Sequence, residues 1–559
     1  VYLRETKRTN VDGTVRRYVA LAHNYRDPDT GRSKPEILFS FGRVEQVDRD
    51  GLERLVASIA KFLDDDTLLA AVTDDTGVAG GFEPVDARSL GGAWVLDQLW
   101  DRLGIAKTVT GVARGRRLDA AATERILFAL VASRALAPSS KLAATRWIRE
   151  DVYIPGLAEV DSESCYRTMD FFLDALAELQ ETVFFTVADL LQLEVDMIFF
   201  DTTSTYFELE QADPEGDDGQ PPFRTYGESK DHRWDIPQVV IGMAVTRGGM
   251  PVRLWVWPGN TQDQTVLDEV KADLAGWQLN RTVWVVDAGF ASADNRKILS
   301  RGGSSFITAE KLRGDEHAVV EARGRPGRYH TVNDQLKVKE VIVGDGAGTE
   351  RFVICRNDEV ARKDAAVRGQ LVALLEDRIA GSDDLTGEQR AELVGTLKSK
   401  PGLKRFLRTT KSGLLRIDRT AIRTQAHFDG KFLLRTWDRT LTPTDIALGY
   451  KSLMDVERAW RDMKQLDLRP IFHRREDRII SHVQLCWLAL LLIRTIEAQV
   501  GDTWRNIAAQ LNRIKLVTID TGHGTVSQRT RLTARQRHIL EALNLPEPPR
   551  YFEFTPLDD

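Results

Sequence analysis

The sequence predicts an α/β fold: a mixed sheet flanked by helices and interrupted by a β-rich insertion, with a hairpin and a helical region ahead of it. Three observations predict it. After about residue 195 the apolar pattern changes from helical spacing to short runs of β-branched and aromatic residues. From there to Thr308 the segments follow the order strand, strand, strand, helix, strand, helix, strand. The helix that should come next is then delayed by roughly 130 residues with strand signals of their own, too long for one loop and better read as an insertion.

Residues 1–72 open with alternation of polar and apolar positions in Arg17–Ala22 and Glu36–Phe41. Asp27-Pro28-Asp29-Thr30-Gly31 supplies turn chemistry between them, so a β-hairpin is expected. Leu52, Leu55, Val56, Ile59 and Phe62 follow at helical spacing. Residues 73–89 begin small, acidic and glycine-rich, which marks a linker. Residues 90–194 keep helical spacing, broken at Leu136–Ser140 and at Ile154-Pro155-Gly156, and predict a helical bundle, a possible DNA-binding domain.

Residues 195–308 form the first part of the core. Met197–Phe200 leads to Asp201, and Val239–Val245, Gly248-Gly249 and Val252–Trp257 read as strand, turn and strand. A helix near residues 264–274 precedes the strand Val283–Val286, which ends at Asp287, and a helix at Ala293–Leu299 precedes Ser305–Thr308. The insertion spans 309–440, with a hairpin of Val338–Val343 and Phe352–Cys355, a charged helical stretch from Asp358 to Leu397, and strands near Leu414–Ile417 and Phe432–Thr436. Residues 441–500 complete the core with a helix from Asp445 to about Leu466, and 501–559 form a basic region and tail.

Composition narrows the function classes. A chain of 559 residues with 42% hydrophobic and 29% charged residues is long enough for several cores and has no disordered signature. Cys165, Cys355 and Cys486 stand far apart, which speaks against a disulfide framework or thiolate zinc site. The apolar run Leu485–Ile493 falls short of the roughly 20 residues of a membrane span, so no membrane partner is expected. No leader pattern opens at Val1, and export is not expected. Against the net charge of −6, the stretch Arg505–Arg537 carries Arg505, Arg513, Lys515, Arg529, Arg531, Arg535 and Arg537 with only Asp520 as an acid, a surplus suited to phosphates or to a solvated surface.

Taken singly, Asp201 and Asp287 read as turn caps and Glu457 as the i,i+4 partner of Arg461. Together they are an Asp on the first strand, an Asp on the fourth, and a Glu on the helix after the insertion. Tyr450, Glu457 and Lys464 are spaced by seven, so a carboxylate and an ammonium share one helical stripe. Carboxylates that hold divalent cations and a lysine that holds a phosphate are what phosphoryl transfer on DNA requires. His482 and Cys486, four apart, have nothing nearby to complete a zinc site and read as part of a buried helix.

Phe200-Asp201-Thr202-Thr203-Ser204, Trp284–Phe290 and Tyr450–Lys464 resemble the three acidic motifs of RNase H-like DDE transposases of bacterial insertion sequences. More narrowly, the chain resembles the insertion-sequence-four superfamily, with its Tyr-x2-Arg-x3-Glu-x6-Lys signature and β-rich insertion. Tyr450, Glu457 and Lys464 match that signature, and Leu453 stands at the Arg position, for which Arg458 or Arg461 are the substitutes. Ser229–Arg233, Pro258–Thr261 and Leu468–His473 also resemble the subgroup with the insertion. The resemblance implies an RNase H-like core in which Asp201, Asp287 and Glu457 are catalytic and bind two Mg2+ ions, with Mn2+ as a substitute.

It also implies cleavage of double-stranded DNA at terminal inverted repeats and transfer of the 3′ hydroxyl into target DNA, by a homodimer on paired ends in the bacterial cytoplasm at the nucleoid. Tyr450, Lys464, Arg461, Arg458 and His473 are the expected DNA contacts. Phe432 is a candidate to stack on an unpaired base or, alternatively, an inward residue of the insertion core. The alternatives are an inactive DNA-binding descendant of a transposase, or an RNase H-like nuclease without strand transfer.

Overall fold

In the computed structural model, residues 2–9, 15–26, 33–44, 47, 83–193, 195–209, 211–214, 222–277, 282–345, 349–521 and 524–556 are described. The expected helix at Leu52–Phe62, the turn at Asp27–Gly31 and the glycine-rich start of the linker lie outside them. The chain divides into two compact units, residues 1–86, 517–528 and 551–559 in one, and 87–516 and 529–550 in the other.

The N-terminal element is a three-stranded antiparallel sheet of β1 (Tyr2–Thr9), β2 (Val15–Arg26) and β3 (Ser33–Arg43), one strand more than the expected hairpin. β1, with sequence YLRETKRT, is almost wholly polar and has no alternation to reveal it. β4 (Glu83–Ser89) corrects the end of the linker: it is the edge of a four-stranded sheet whose other strands come from the C-terminus of the chain.

Next come α1 (Gly91–Arg102), α2 (Ile105–Gly115), α3 (Ala120–Leu136), α4 (Lys141–Glu150) and α5 (Ser162–Leu190). Asp119, Ser140 and Asp161 cap the last three, each accepting a hydrogen bond from the backbone N–H three residues on.

The core sheet is built from β5 (Met197–Tyr206), β6 (Gln238–Thr246), β7 (Pro251–Pro258), α6 (Leu267–Ala275), β8 (Val283–Val286), α7 (Ala293–Leu299) and β9 (Ser305–Glu310), the element order read from the sequence. Their spatial order is β7-β6-β5-β8-β9; β5 is antiparallel to β6 and parallel to β8, and β8 is parallel to β9. That is the RNase H-like arrangement. β6 is buried along its whole length, as a strand covered on both faces must be. Phe200, Trp255, Trp257, Trp284, Val286 and Phe290 form the core under α6 and α7.

The insertion contributes α8 (His317–Gly324), β10 (His330–Asn333), β11 (Leu336–Val343), β12 (Glu350–Arg356), α9 (Asp358–Ile379), α10 (Gly387–Lys398), β13 (Leu407–Thr409), β14 (Leu415–Ile417), α11 (Arg419–Ala426) and β15 (Lys431–Thr436). A separate β-rich domain was expected. Instead β15 pairs antiparallel with β9, and β12, β11 and β10 follow in turn, so the core sheet grows to nine strands. The free edge of β9 carries unpaired N–H and C=O groups, and strand addition satisfies them. β13, β14 and their helices keep a core of their own, around Leu375, Leu397, Leu403, Phe406 and Leu415, and a second cluster of Val319, Ala322, Val341, Phe352 and Leu433 packs α8 against the added strands.

The chain then forms α12 (Pro443–Lys451), α13 (Met454–Gln465) and α14 (Glu476–Val500). The single helix expected from Asp445 to Leu466 is two, because around Ser452 and Leu453 the backbone bonds tighten to i→i+3, as in Leu453 N–H to Tyr450 O and Asp455 N–H to Ser452 O. α12 begins with a capping box between Thr442 and Asp445 and with Pro443 in its first turn. α14 is 25 residues long and apolar enough to cross a membrane, yet 89% of its apolar window is buried within the protein. It packs against α3, α5 and β7, which explains why its apolar residues are not confined to one stripe.

The C-terminal segment is no tail. It folds into α15 (Trp504–Leu511), β16 (Lys515–Asp520), β17 (Gly524–Arg529), α16 (Ala534–Ala542) and β18 (Tyr551–Pro556).

Candidate active site

Register places the first two acids. β5 and β8 pair in parallel from Met197 with Val283 to Phe200 with Val286, so Asp201 and Asp287 are the next residues on neighbouring strands, whose spacing is about 4.8 Å. β8 stops there, while β5 continues beside β6 to Tyr206, so Asp201 lies within its strand and not at its end. The third acid comes from a helix packed over the same strands: α13 contacts β5 and β6, and α12 contacts β8 and β9. Gly449 lets α12 approach, since a Cβ there would stand 2.9 Å from the Met197 sulfur.

A cavity of about 310 Å³ is lined by Asp201, Asp287 and Glu457 together with Phe432, Tyr450 and Leu453. Three acids far apart in sequence therefore share one hollow. The Tyr450 hydroxyl donates to Asp287 Oδ1 at 3.0 Å. Burial, Asp287, Asp201 and Glu457 all push the Tyr450 hydroxyl up, so it stays a donor. Phe432 tilts towards Tyr450, ring centroids 6.0 Å apart, and so faces the acids and not the insertion core.

Burial raises the Asp201 carboxyl to about 6, with Asp263 and Asp287 adding to the rise and Lys230 opposing it. Carboxylate oxygens alone, crowded and partly desolvated, suit a hard divalent cation such as magnesium. Among the described residues, no three Asp, Glu, His or Cys side chains are gathered closely enough to hold a metal ion as they stand. The acids share a cavity without forming a closed cage.

Two residues absent from the expected site stand beside it. Lys230 Nζ donates to Asp263 Oδ2 at 2.7 Å, and Thr202 Oγ donates to Asp263 Oδ1. Asp263 follows the Pro258–Thr261 segment, whose course Gly259 fixes: a Cβ there would lie 2.1 Å from Gln238 O and 2.3 Å from Thr225 O. The two family-like segments around Lys230 and Gly259 were the only sequence signal for this pair, and neither names a contact. Asp231, next to Lys230, accepts from Lys464 Nζ at 3.2 Å and from Arg469 Nη1 at 2.6 Å.

The other expected DNA contacts scatter. Arg458 pairs with Asp455 at 3.2 Å, Arg461 is exposed, and neither lines the cavity, whose lining cation is Lys451. Leu453 does line it, at the start of α13. His473 lies outside the cavity, edge-on to Tyr166 with ring centroids 5.9 Å apart and 5.6 Å from His482. Burial, then Lys141, Arg478 and Arg134, lower His473 to about 4, so at neutral pH it brings no positive charge to a phosphate.

His482 and Cys486 are buried as expected of a packed helix, with His482 Nδ1 3.4 Å from Lys141 Nζ and Cys486 Sγ donating to Leu466 O. A histidine lowered on folding binds fewer protons than its unfolded counterpart, so its stabilisation is present above the unfolded value of about 6.5 and is lost as pH falls towards 4. Urea midpoints are expected to fall over this window, and His473→Gln should flatten the fall; an unchanged slope would refute the assignment. The basic surplus at the C-terminus is partly neutralised, by Asp502 on Arg535 and by Glu547 on Arg529 and Arg537.

A family model of the transposase DDE domain matches residues 198–492. A model of the N-terminal domain of IS1634 family transposases matches residues 3–71. Among solved structures, a cryo-EM structure of the piggyBac transposase synaptic complex with hairpin DNA is similar at 9% identity, covering 75% of this chain and 78% of that one with a TM-score of 0.36. No curated protein matches.

Proposed function

The chain belongs to the DDE transposases of insertion sequences, and from that premise we propose that it cleaves DNA at the ends of its element and joins the freed 3′ hydroxyls to target DNA. The observation that carries the reading is the shared cavity of Asp201, Asp287 and Glu457, drawn from two strand positions in register and a helix beyond the insertion. These three carboxylates would hold the magnesium ions, two in the full complement. When bound, the metal supplies Lewis acidity to the scissile phosphate and to the oxygens entering and leaving it.

The chain's own groups do the rest. Tyr450 fixes the orientation of Asp287 through its hydroxyl. Lys464 and Arg469 grip a backbone phosphate beside the acids. Phe432 offers a ring on which an unpaired base stacks at the cavity wall. Hydrolysis breaks a phosphodiester and leaves a 3′ hydroxyl; joining repeats the in-line displacement with that hydroxyl as nucleophile, so one site serves both steps. A dimer would bring the two ends together, in the bacterial cytoplasm at the nucleoid.

The decisive experiment supplies a duplex ending in the terminal repeat with a pre-cut 3′ hydroxyl, a supercoiled plasmid and Mg2+. Covalent plasmid products are expected. Cleavage without joining would make the protein a nuclease, and binding without either would make it an inactive descendant.

In the free protein Asp231 occupies the two cations assigned to the phosphate. Asp231→Ala is expected to tighten duplex binding by about three- to tenfold at low salt and to steepen the salt dependence by about one phosphate contact, read by fluorescence anisotropy across a salt series. Weaker binding in this variant would rule out the phosphate role of Lys464 and Arg469.

A further inference from the structure

We propose that Lys230 is a positioning residue of the acidic site: a built-in counter-cation, held on Asp263, that balances the carboxylates and competes with the divalent cation for them. The inference rests on the reading of Asp201, Asp287 and Glu457 as metal ligands and assigns a role to a residue outside that set.

Local structure delivers Lys230 to this place. Its backbone N–H donates to Ser204 Oγ on β5 at 3.0 Å, three residues beyond Asp201. The turn that follows is closed by His232 N–H to Ser229 O and by Arg233 N–H to Ser229 Oγ, with His232 at φ 58°, a conformation a non-glycine residue adopts only when its surroundings hold it. The loop is therefore fixed at both ends. Its ammonium rests 2.7 Å from Asp263, whose second oxygen is held by Thr202, the residue after Asp201. Asp263 also lies against the second acidic motif, since a Cβ on Gly289 would be 3.4 Å from its Oδ2. Asp263 thus bridges the two motifs and carries Lys230 with it.

Electrostatics agrees with this placement. Burial tends to lower the Lys230 ammonium, yet Asp263, Asp201 and Asp287 together hold it above its ordinary value. In return Lys230 is the largest charge that favours the ionised form of Asp201. A fixed positive charge among acids that do not yet form a metal cage is a stand-in for the cation. A divalent ion entering the cavity must work against it. Asp231, the next residue, meanwhile covers Lys464 and Arg469, so one loop holds both charge partners of the free site.

The test is binding of Mn2+ alone, without DNA, to the full chain, followed by electron paramagnetic resonance and calorimetry. Lys230→Met is expected to bind Mn2+ about tenfold more tightly, the size expected for removing one partly solvated charge at this range. Lys230→Arg, which keeps the charge, should stay within about twofold of the parent. Unchanged or weaker binding in Lys230→Met, or equal tightening in Lys230→Arg, overturns the proposal. Asp201→Asn separates the two readings. Loss of Mn2+ binding there with no gain in Lys230→Met overturns the counter-cation alone, whereas intact binding in Asp201→Asn overturns the metal-ligand reading and this proposal with it.

Discussion

Replacing Asp201 by Asn, Asp287 by Asn or Glu457 by Gln, one at a time, is expected to lower cleavage of terminal-repeat DNA by at least about a thousandfold, equivalent to about 4 kcal/mol of transition-state stabilisation. Each change keeps the shape of the side chain and removes its charge. The affinity for the duplex should stay within about threefold, because the gripping cations Lys464 and Arg469 are unchanged and phosphate contacts dominate affinity. Gel assays of cleavage beside anisotropy measurements of binding separate the two. A variant that cleaves at near-parental rate excludes its residue from the site. Asp201, whose carboxyl burial raises to about 6, also feels Lys230, Asp263 and Asp287 together.

Arg435→Met is expected to destabilise the fold by about 3–5 kcal/mol, the cost of breaking a buried ion pair and leaving its partner charged. Arg435 is 4% exposed at the seam where the insertion joins the core sheet. Its guanidinium meets Glu316 at 2.8 Å, Glu310 at 3.4 Å and Glu350, and lies over the Phe352 ring at 5.2 Å. Glu310 is the partner that decides the cost. Burial raises its carboxyl, and Arg435, then Arg296, oppose that rise. Glu316 and Glu350 are more open to solvent and add less. Urea unfolding followed by tryptophan fluorescence gives the value, and a loss below about 1 kcal/mol would show that Arg296 alone suffices.

Much of the core was legible because its signals are local. The short apolar runs Met197–Phe200 and Val283–Val286, rich in β-branched and aromatic residues, mark strands whichever partner they find, and the order of segments admits few topologies. The three acids were legible as a set because their spacing relative to strands and helix is itself local information. Phe432 was not, since a strand residue's face depends on which strand it pairs with. The surroundings of His473 were not legible for a similar reason: Tyr166 and Lys141, which face it, come from distant segments.

What the amino-acid sequence determined by itself was the kind and order of the core elements from Met197 to Thr308, and the candidacy of Asp201, Asp287 and Glu457. Only tertiary structure decided that the insertion extends the core sheet through β15, that α12 and α13 are separate helices, and that Lys230 and Asp231 serve the site. The physical reason is range. Backbone preference and apolar periodicity act over a few residues, whereas sheet-edge pairing, burial and ion pairing join residues that the chain brings together only when it folds.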